Sequence, residues 1–553
     1  MLRGYSFNNF KAFSSGNIEI KPITVFIGGN SSGKSSVSHI PLLLHQTATS
    51  ELVNKYGGDF CNTLVTNGTF VSFGDPLSLI SGKNKKRRLA LNIDLKTTDE
   101  INNELKDVTK EFYSTIWETL RLYFTLIREN NEYKNISDDI KQILESPTVI
   151  YQEQYKNTIL DKLGKLKAIS EKIESTHSED SIIFQRFSKR EKKLVSRKDI
   201  KSKDDYSLSF QLIETIKKIR WNDIQLSFEF KYDNKRHDMS ITKMSIYSGD
   251  FQMLTADFDP DTRELVNIDF PFIEKNILTR FRMITKLFNN DKTIFDVVVE
   301  NDFLSNDPLF PELLNKILLI LIQHFKNSFE ENRIYYVGPL RDYPKKYYVR
   351  WLLSQGKNLK FDENMSEILF SNKNLLRKTN KWLKNFDTQI EISEANEDIH
   401  RILAIRNSQP KMDLDISDVG FGISQILPVV LQTFLSSSDS ITIIEQPEIH
   451  LHPNMQSKLA DLFIDAVIEN RDLNKKLVIE THSVPLMVRL RLRCAQNIIK
   501  QKDIAVYKFS VDNNNKGVIK KVPLTSHGEF SWPVEFIDEE LKDEIEFAKI
   551  ISG

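Results

Sequence analysis

Ile23-Thr-Val-Phe-Ile27 is a short, β-branched apolar run of the kind that forms a strand buried on both faces, and the segment before it, Asn17-Ile-Glu-Ile-Lys21, alternates. With Ser35 to His45 able to continue as a helix, the N-terminal segment predicts strand, strand, loop, helix. From about Asp94 to Lys218 the apolar spacing changes to three and four. Ile101, Leu105, Val108, Phe112, Ile116 and Leu120 share one helical face, and Tyr155, Ile159, Leu163, Leu166, Ile169 and Ile173 share another. These helices predict a packed hairpin, and since neither keeps a heptad beyond about three repeats, no long coiled-coil arm is expected. From Asn222 to Phe270 the period falls to two, as in Leu226-Ser-Phe-Glu-Phe-Lys-Tyr232, which predicts an antiparallel sheet.

A second helical stretch, about Phe303 to Asn332, leads into a buried strand at Arg333-Ile-Tyr-Tyr-Val-Gly-Pro-Leu-Arg-Asp342, and another helix is expected around Glu363 to Phe386. Beyond His400 apolar runs alternate with helices. Ser440-Ile-Thr-Ile-Ile444 precedes a helix from about Asn454 to Asn470; Lys476-Leu-Val-Ile479 precedes one from Val484 to Cys494; Ile504 to Phe509 is a further strand. That alternation predicts an α/β protein with a mostly parallel sheet covered on both faces. The expected segments are 1–93, a helical insertion 94–218, an antiparallel β region 219–302, a helical region 303–399 and a C-terminal part 400–553.

The 553 residues are 40% hydrophobic and 27% charged, too many for one core and ordinary for a folded protein. Lys plus Arg equals Asp plus Glu at 76 each, so any basic site must be local. Candidates are Lys83-Asn-Lys-Lys-Arg-Arg88 and the stretch from Arg186 to Lys198, either of which would meet nucleic-acid phosphates. Two cysteines, Cys61 and Cys494, exclude a disulfide framework or a four-cysteine zinc site and fit a reducing compartment. The chain start lacks a leader pattern, and Ile317-Leu-Leu-Ile-Leu-Ile322 is too short to span a bilayer, so a cytoplasmic location without membrane association is expected.

The strongest chemical signal is Gly28-Gly-Asn30-Ser31-Ser32-Gly33-Lys34-Ser35, followed by Ser36, a phosphate loop between strand and helix. Its backbone amides can wrap a β-phosphate, Lys34 can bridge β and γ oxygens, and Ser35 offers a hydroxyl to Mg²⁺. An acidic partner is expected at the end of another parallel strand, and Glu445 follows Ile441-Thr-Ile-Ile444 in that place, holding Mg²⁺ through water. One strand later Thr481-His482-Ser483 reaches the same edge, where His482 could sense the γ-phosphate or the attacking water. The glycine-rich segment Ser417-Asp-Val-Gly420-Phe-Gly422-Ile-Ser424-Gln425, ahead of an apolar helix Ile426 to Leu435, reads as a second anion-binding helix start.

Together these motifs, with Pro447-Glu448-Ile-His450-Leu-His452-Pro453, resemble the ATP-binding-cassette ATPases of the chromosome-maintenance and DNA-repair class. Within it, Glu445-Gln-Pro-Glu-Ile-His-Leu-His-Pro453, Gly338-Pro-Leu-Arg341 and Gly528-Glu-Phe-Ser-Trp532-Pro533-Val-Glu-Phe536 are similar to the ATPase subunit of Septu-type anti-phage systems, some of them beside retrons. The resemblance covers about Met1 to Gly82 and Ile334 to Gly553, and not the helical middle.

What it implies is a cassette-type ATPase head with a mixed sheet, an antiparallel β-subdomain and a large helical insertion. ATP and Mg²⁺ would be its cofactors, and two heads would sandwich two nucleotides as a homodimer or an oligomer of dimers. Ser417, Gly420, Gly422 and Ser424 would then reach the partner's ATP. The segment has one residue more than the usual Ser-Gly-Gly core, which leaves both serines open, and Phe70 to Pro76 is the expected lid loop. Many relatives carry Asp-Glu after the acidic strand where this chain has Glu445-Gln446, so hydrolysis is expected to be slow unless Glu448 or His482 substitutes for the missing carboxylate. A separate effector nuclease, of HNH type, is the implied partner, docked on the insertion or near Trp532-Pro533. The alternatives are a repair or chromosome-maintenance ATPase acting on DNA ends, which should carry a long arm, and a self-contained nuclease of the overcoming-lysogenization-defect type, which should carry an acidic Toprim tail.

Overall fold

The structure, a computed structural model, describes residues 1–49, 64–97, 99–129, 153–175, 203–219, 221–262, 264–272, 284–288, 293–295, 297–301, 309–330, 332–341, 345–349, 361–396, 399–406, 412–419, 421–469, 471–525, 527–528 and 549–550. It divides into two units, one made of Met1–Glu51, Leu64–Leu91 and Asn327–Gly553, the other of Leu52–Thr63 and Asn92–Lys326. The basic stretch from Arg186 to Lys198, the Trp532-Pro533 segment, Cys61 and Gly420 lie outside the described residues.

In the first unit five strands run parallel in the order Ile334–Val337, Ile441–Glu445, Lys476–Glu480, Ile23–Gly28, Ile504–Val511. Antiparallel Gly517–Val522 follows, then Phe13–Glu19 and Leu2–Phe10. Every residue of Ile23–Gly28 and Ile441–Glu445 is buried, because helices cover both faces and no polar alternation is tolerated there. The register sets Glu445 beside Glu480 and Glu480 beside Phe26, so the last residues of two neighbouring strands meet at one edge, beside the strand that leads into the phosphate loop.

Helices start at that edge by recognisable devices. His452 caps Pro453–Ile468, with its Nδ1 accepting from Asn454 N at 3.4 Å and proline in the first turn. Ser483 caps Val484–Ala495, its Oγ accepting from Leu486 N at 3.1 Å. The apolar helix predicted from Ile426 begins earlier, at Phe421, and runs to Leu435, which places Gly422 and Ser424 inside the helix rather than in a loop before it. The helix expected from Ser35 to His45 is two pieces, Lys34–Ser38 and Ile40–Thr49. Strands that were not anticipated include Leu2–Phe10, Leu89–Lys96 and Gly517–Val522, and also Tyr348–Val349 and Thr388–Asn396, which form a small antiparallel sheet with Ile399–Arg406 and Met412–Asp415.

The second unit holds the meander Asp223–Asp233, Asp238–Ser248, Phe251–Phe258 and Leu265–Asp269, as the period-two pattern predicts. Its helices are Asp99–Glu129, Lys156–Ser175, Lys203–Lys218 and Leu309–Asn327. The buried Asp205 carboxylate accepts from Leu309 N at 2.8 Å and Phe310 N at 2.9 Å, satisfying two donors at the start of the last of these.

Where the phosphate loop leaves its strand, the backbone of Gly28 takes φ 150° and packs on the neighbouring strand so closely that a Cβ would sit 2.2 Å from the Phe509 carbonyl oxygen. A Cβ on Gly29 would meet nothing within 4 Å. Gly28→Ala is therefore expected to cost about 2 kcal/mol or more in urea unfolding, and Gly29→Ala no more than about 0.5 kcal/mol. Equal effects would contradict this packing.

Candidate active site

The loop from Gly28 to Lys34 turns through left-handed backbone at Ser31, φ 58°, and Gly33, φ 90°. Gly33 also lies against the ring of Phe13, where a Cβ would be 2.6 Å from Cε2, so only glycine brings the chain back into its helix here. Asn30 and Ser31 are exposed and Ser36 is half-buried. The buried Ser32 hydroxyl has no protein partner. Lys34 is 3% exposed and folds back into the loop, its Nζ donating to the carbonyls of Gly28 at 3.1 Å and Gly29 at 2.9 Å. Burial lowers its ammonium below the usual lysine range, against the pull of Glu480, Glu448 and Glu445.

Sequence reasoning missed the acid nearest this loop. Ser35 Oγ donates to Glu480 Oε1 at 2.9 Å, and Lys34 Nζ lies 3.9 Å from the same oxygen. The second oxygen, Glu480 Oε2, is buried without a partner. Burial, and then the neighbouring Glu445, push the Glu480 carboxyl up to about 7. A signal was available, since Glu480 follows the apolar run Leu477-Val-Ile479 at a strand end in the same way as Glu445 follows its own.

Glu445 lies beside it but is gripped from the helical side. His39 Nε2 is 2.5 Å from Glu445 Oε1, and Ser38 Oγ donates to the same oxygen at 3.4 Å. The His39 ring in turn meets Tyr336 and Phe73 edge-on, at centroid distances of 5.7 and 6.3 Å. Phe73 belongs to the expected lid loop, which is tied to the helix Ile40–Thr49 by Gln46, a side chain that donates to Val65 O and accepts from Val71 N at 3.2 Å. After Glu445 the chain turns sharply. Gln446 adopts φ 45°, and its N–H donates to Glu480 O at 2.8 Å. Left-handed backbone at a non-glycine costs on the order of 1–2 kcal/mol and here re-aims the segment that follows.

Arg341 holds that turn, and no role for it had been read from the sequence. Buried to 9% exposure, its guanidinium donates to Glu445 O at 3.0 Å, Gln446 O at 3.1 Å and Gln425 O at 3.4 Å. It thus joins the acidic strand to the glycine-rich helix.

Both Glu448 oxygens are engaged, Oε1 accepting from His482 N at 2.7 Å and Oε2 from Thr481 Oγ1 at 2.8 Å. Burial raises its carboxyl, and these bonds oppose the rise. Glu448 therefore braces the histidine loop, with the half-buried His482 beside it. Gly422 packs under that segment, a Cβ there being 3.4 Å from His450 O, while Ser424 is buried and Ser417 Oγ donates to Asp418 at 3.3 Å. Lys83 to Arg88 are exposed. Arg493 and Arg489 pair with Asp461 at 2.6 and 3.6 Å, which ties two helices together.

The arrangement suits a nucleotide with Mg²⁺. The unpartnered Ser32 hydroxyl and Glu480 Oε2 are buried polar atoms that a bound phosphate and ion would satisfy. Among the described residues no three His, Cys, Asp or Glu side chains form a metal cage, which is compatible with Mg²⁺ because that ion keeps waters and substrate phosphates as ligands.

Because its folded carboxyl sits near 7 against an ordinary 4.5, Glu480 binds more proton in the folded than in the unfolded nucleotide-free chain across that window. Its contribution to stability therefore falls as pH rises from about 4.5 to about 7. Glu480→Gln should raise the thermal midpoint at pH 8 and leave it nearly unchanged at pH 4.5. An equal shift at both would contradict the assignment.

Comparison with known proteins agrees with this chemistry. The AAA ATPase domain family matches residues 1–487. A Helicobacter pylori (strain ATCC 700392 / 26695) protein named ATP/GTP phosphatase is 27% identical over 161 residues, 29% of this chain and 40% of that protein, so the chain spans well under half of its relative's length. A crystal structure of the SmcHead bound to the C-winged helix domain of ScpA is 10% identical, covering 95% of this chain and 98% of that one, with TM-score 0.39. The SMC head domain from Thermotoga maritima gives 8% identity, 95% and 99% coverage and TM-score 0.33, and likenesses this slight carry no argument. Phosphate loop, buried acids and family match converge on one statement: the chain belongs to the AAA ATPase domain family.

Proposed function

We propose that this chain is a slow, Mg²⁺-dependent ATPase that dimerises around ATP and controls a separate nuclease in anti-phage defence. The observation that carries the nucleotide part is Lys34, Ser35 and the two carboxylates of Glu480 and Glu445 brought to one sheet edge. Lys34 would leave its two carbonyl partners for the β and γ oxygens, and Ser35 with the acids behind it would hold the ion, which supplies charge neutralisation at the γ-phosphate. The name of the Helicobacter pylori relative supports nucleotide phosphate hydrolysis.

Slow turnover follows from the side chains available to order water. Gln446 bears an amide, which accepts no proton, and both Glu448 oxygens are already hydrogen-bonded. A long-lived ATP state suits a switch better than a pump. In the dimer Ser417 and Gly422 would face the partner's nucleotide, and the residues around His450 and His452 would lie near the contact. The nuclease, of HNH type, and the defence role rest on the motif resemblance. A repair ATPase remains the alternative, with the exposed Lys83 to Arg88 as its nucleic-acid contact.

Lys34→Ala should weaken ATP binding at least tenfold in calorimetry, because it removes the one cation buried in the loop. Unchanged affinity would remove the assignment. Gln446→Glu should accelerate phosphate release in single-turnover assays, whereas a wild-type rate of several per second left unaltered by that change would place water activation elsewhere.

A further inference from the structure

The strand Ile334–Val337 stands at the outer end of the parallel strands, and its Val337 pairs with Ile444, so the segment Gly338-Pro-Leu-Arg341 leaves it level with Glu445. Leu340 is 96% exposed, whereas Arg341 beside it is 9% exposed and turns inward. A cation taken out of water must find acceptors, and the two terminal nitrogens of this one divide the task. Nη2 donates to Glu445 O at 3.0 Å and Gln446 O at 3.1 Å, both in the turn after the acidic strand, while Nη1 donates to Gln425 O at 3.4 Å in the helix Phe421–Leu435. The guanidinium is planar and rigid, so a shift of the helix against the turn strains these bonds together. The first turn of that helix is seated on the same segment, since a Cβ on Gly422 would stand 3.4 Å from His450 O.

We infer that Arg341 is a positioning residue for ATP hydrolysis: by bridging the glycine-rich helix and the turn at Gln446, it ties a nucleotide seated at the start of that helix to the residues that order water beyond the acidic strand. The inference rests on the nucleotide reading above and deepens it. Gln446 stands at φ 45°, a backbone state that persists only where its surroundings hold it, and Arg341 holds the carbonyls of both peptides that flank this residue. Without the bridge the turn relaxes, and the side chains of Gln446 and Glu448 lose their aim. Lys34 and Ser35, which would grip the phosphates and the ion, stand on another segment, so nucleotide affinity does not depend on the bridge. A lysine at this position keeps the charge but gathers its donors on one nitrogen, and it can serve the turn or the helix but not both.

The test compares wild type, Arg341→Lys, Arg341→Met and, as an arginine outside the site, Arg493→Lys, each as the whole chain with Mg²⁺. Calorimetry reads ATPγS affinity, phosphate release from ATP gives kcat and KM, and circular dichroism shows that each variant is folded. Both Arg341 variants should keep ATPγS affinity and KM within about threefold of wild type and lose about tenfold or more in kcat, while Arg493→Lys changes neither constant. Should Arg341→Met fail to fold, the lysine variant decides. A kcat within about threefold of wild type in folded Arg341→Lys, or affinity and kcat falling together, overturns the positioning role while leaving the nucleotide reading intact. Absence of both ATPγS binding and phosphate release in the wild type overturns the nucleotide reading itself.

Discussion

Two buried glutamates side by side on parallel strands are the constraint on which the rest of this site depends. Carboxylates at neighbouring register positions repel strongly where water is scarce, and neither would stay ionised without compensation. The chain arranges that compensation from one short segment: Lys34 and Ser35 turn toward Glu480, while Ser38 and His39 turn toward Glu445. The glycines of the loop exist to bring that segment so close. Gly28 touches the Phe509 carbonyl and Gly33 touches the Phe13 ring, distances that no side chain would permit. Behind the acids, Arg341 satisfies the backbone carbonyls that the turn at Gln446 leaves facing inward.

Much of this was legible in the chain. The apolar runs at Ile23, Ile441, Lys476 and Ile504 became adjacent parallel strands, and the period-two stretch after Asn222 became a meander, because full burial and half burial leave different residue patterns. The phosphate loop was readable since its glycines answer to backbone geometry. The strand Thr388–Asn396 was not read, although Gln389-Ile-Glu-Ile392 alternates; its antiparallel partner, Ile399–Arg406, lends it stability that no local pattern reveals. Leu2–Phe10 escaped for a similar reason, being interrupted by Gly4 and by Asn8-Asn9 yet pinned by Phe13–Glu19. The site residues that went unread, Glu480, His39 and Arg341, act through partners tens to hundreds of positions away. Motif spacing carries no information about such pairs.

The same long-range bonds tie the site to several neighbouring segments. Glu448 joins the segment after the acidic strand to the backbone of the histidine loop, Arg341 joins the acidic turn to the glycine-rich helix, and Phe73 of the loop tied by Gln46 rests on His39. A phosphate that draws Lys34 away from the Gly28 and Gly29 carbonyls would alter the charge balance at Glu480, which Lys34 and His39 share with Glu445.

The most direct measurement is a crystal structure of the chain with Mg²⁺ and a non-hydrolysable ATP analogue. The account predicts the β-phosphate inside the loop of Gly28 to Lys34, with Lys34 Nζ moved from the carbonyls of Gly28 and Gly29 onto phosphate oxygens and an ion at about 2.1 Å from Ser35 Oγ. An analogue bound elsewhere, or a Lys34 still hydrogen-bonded to both carbonyls with the loop empty, would contradict it.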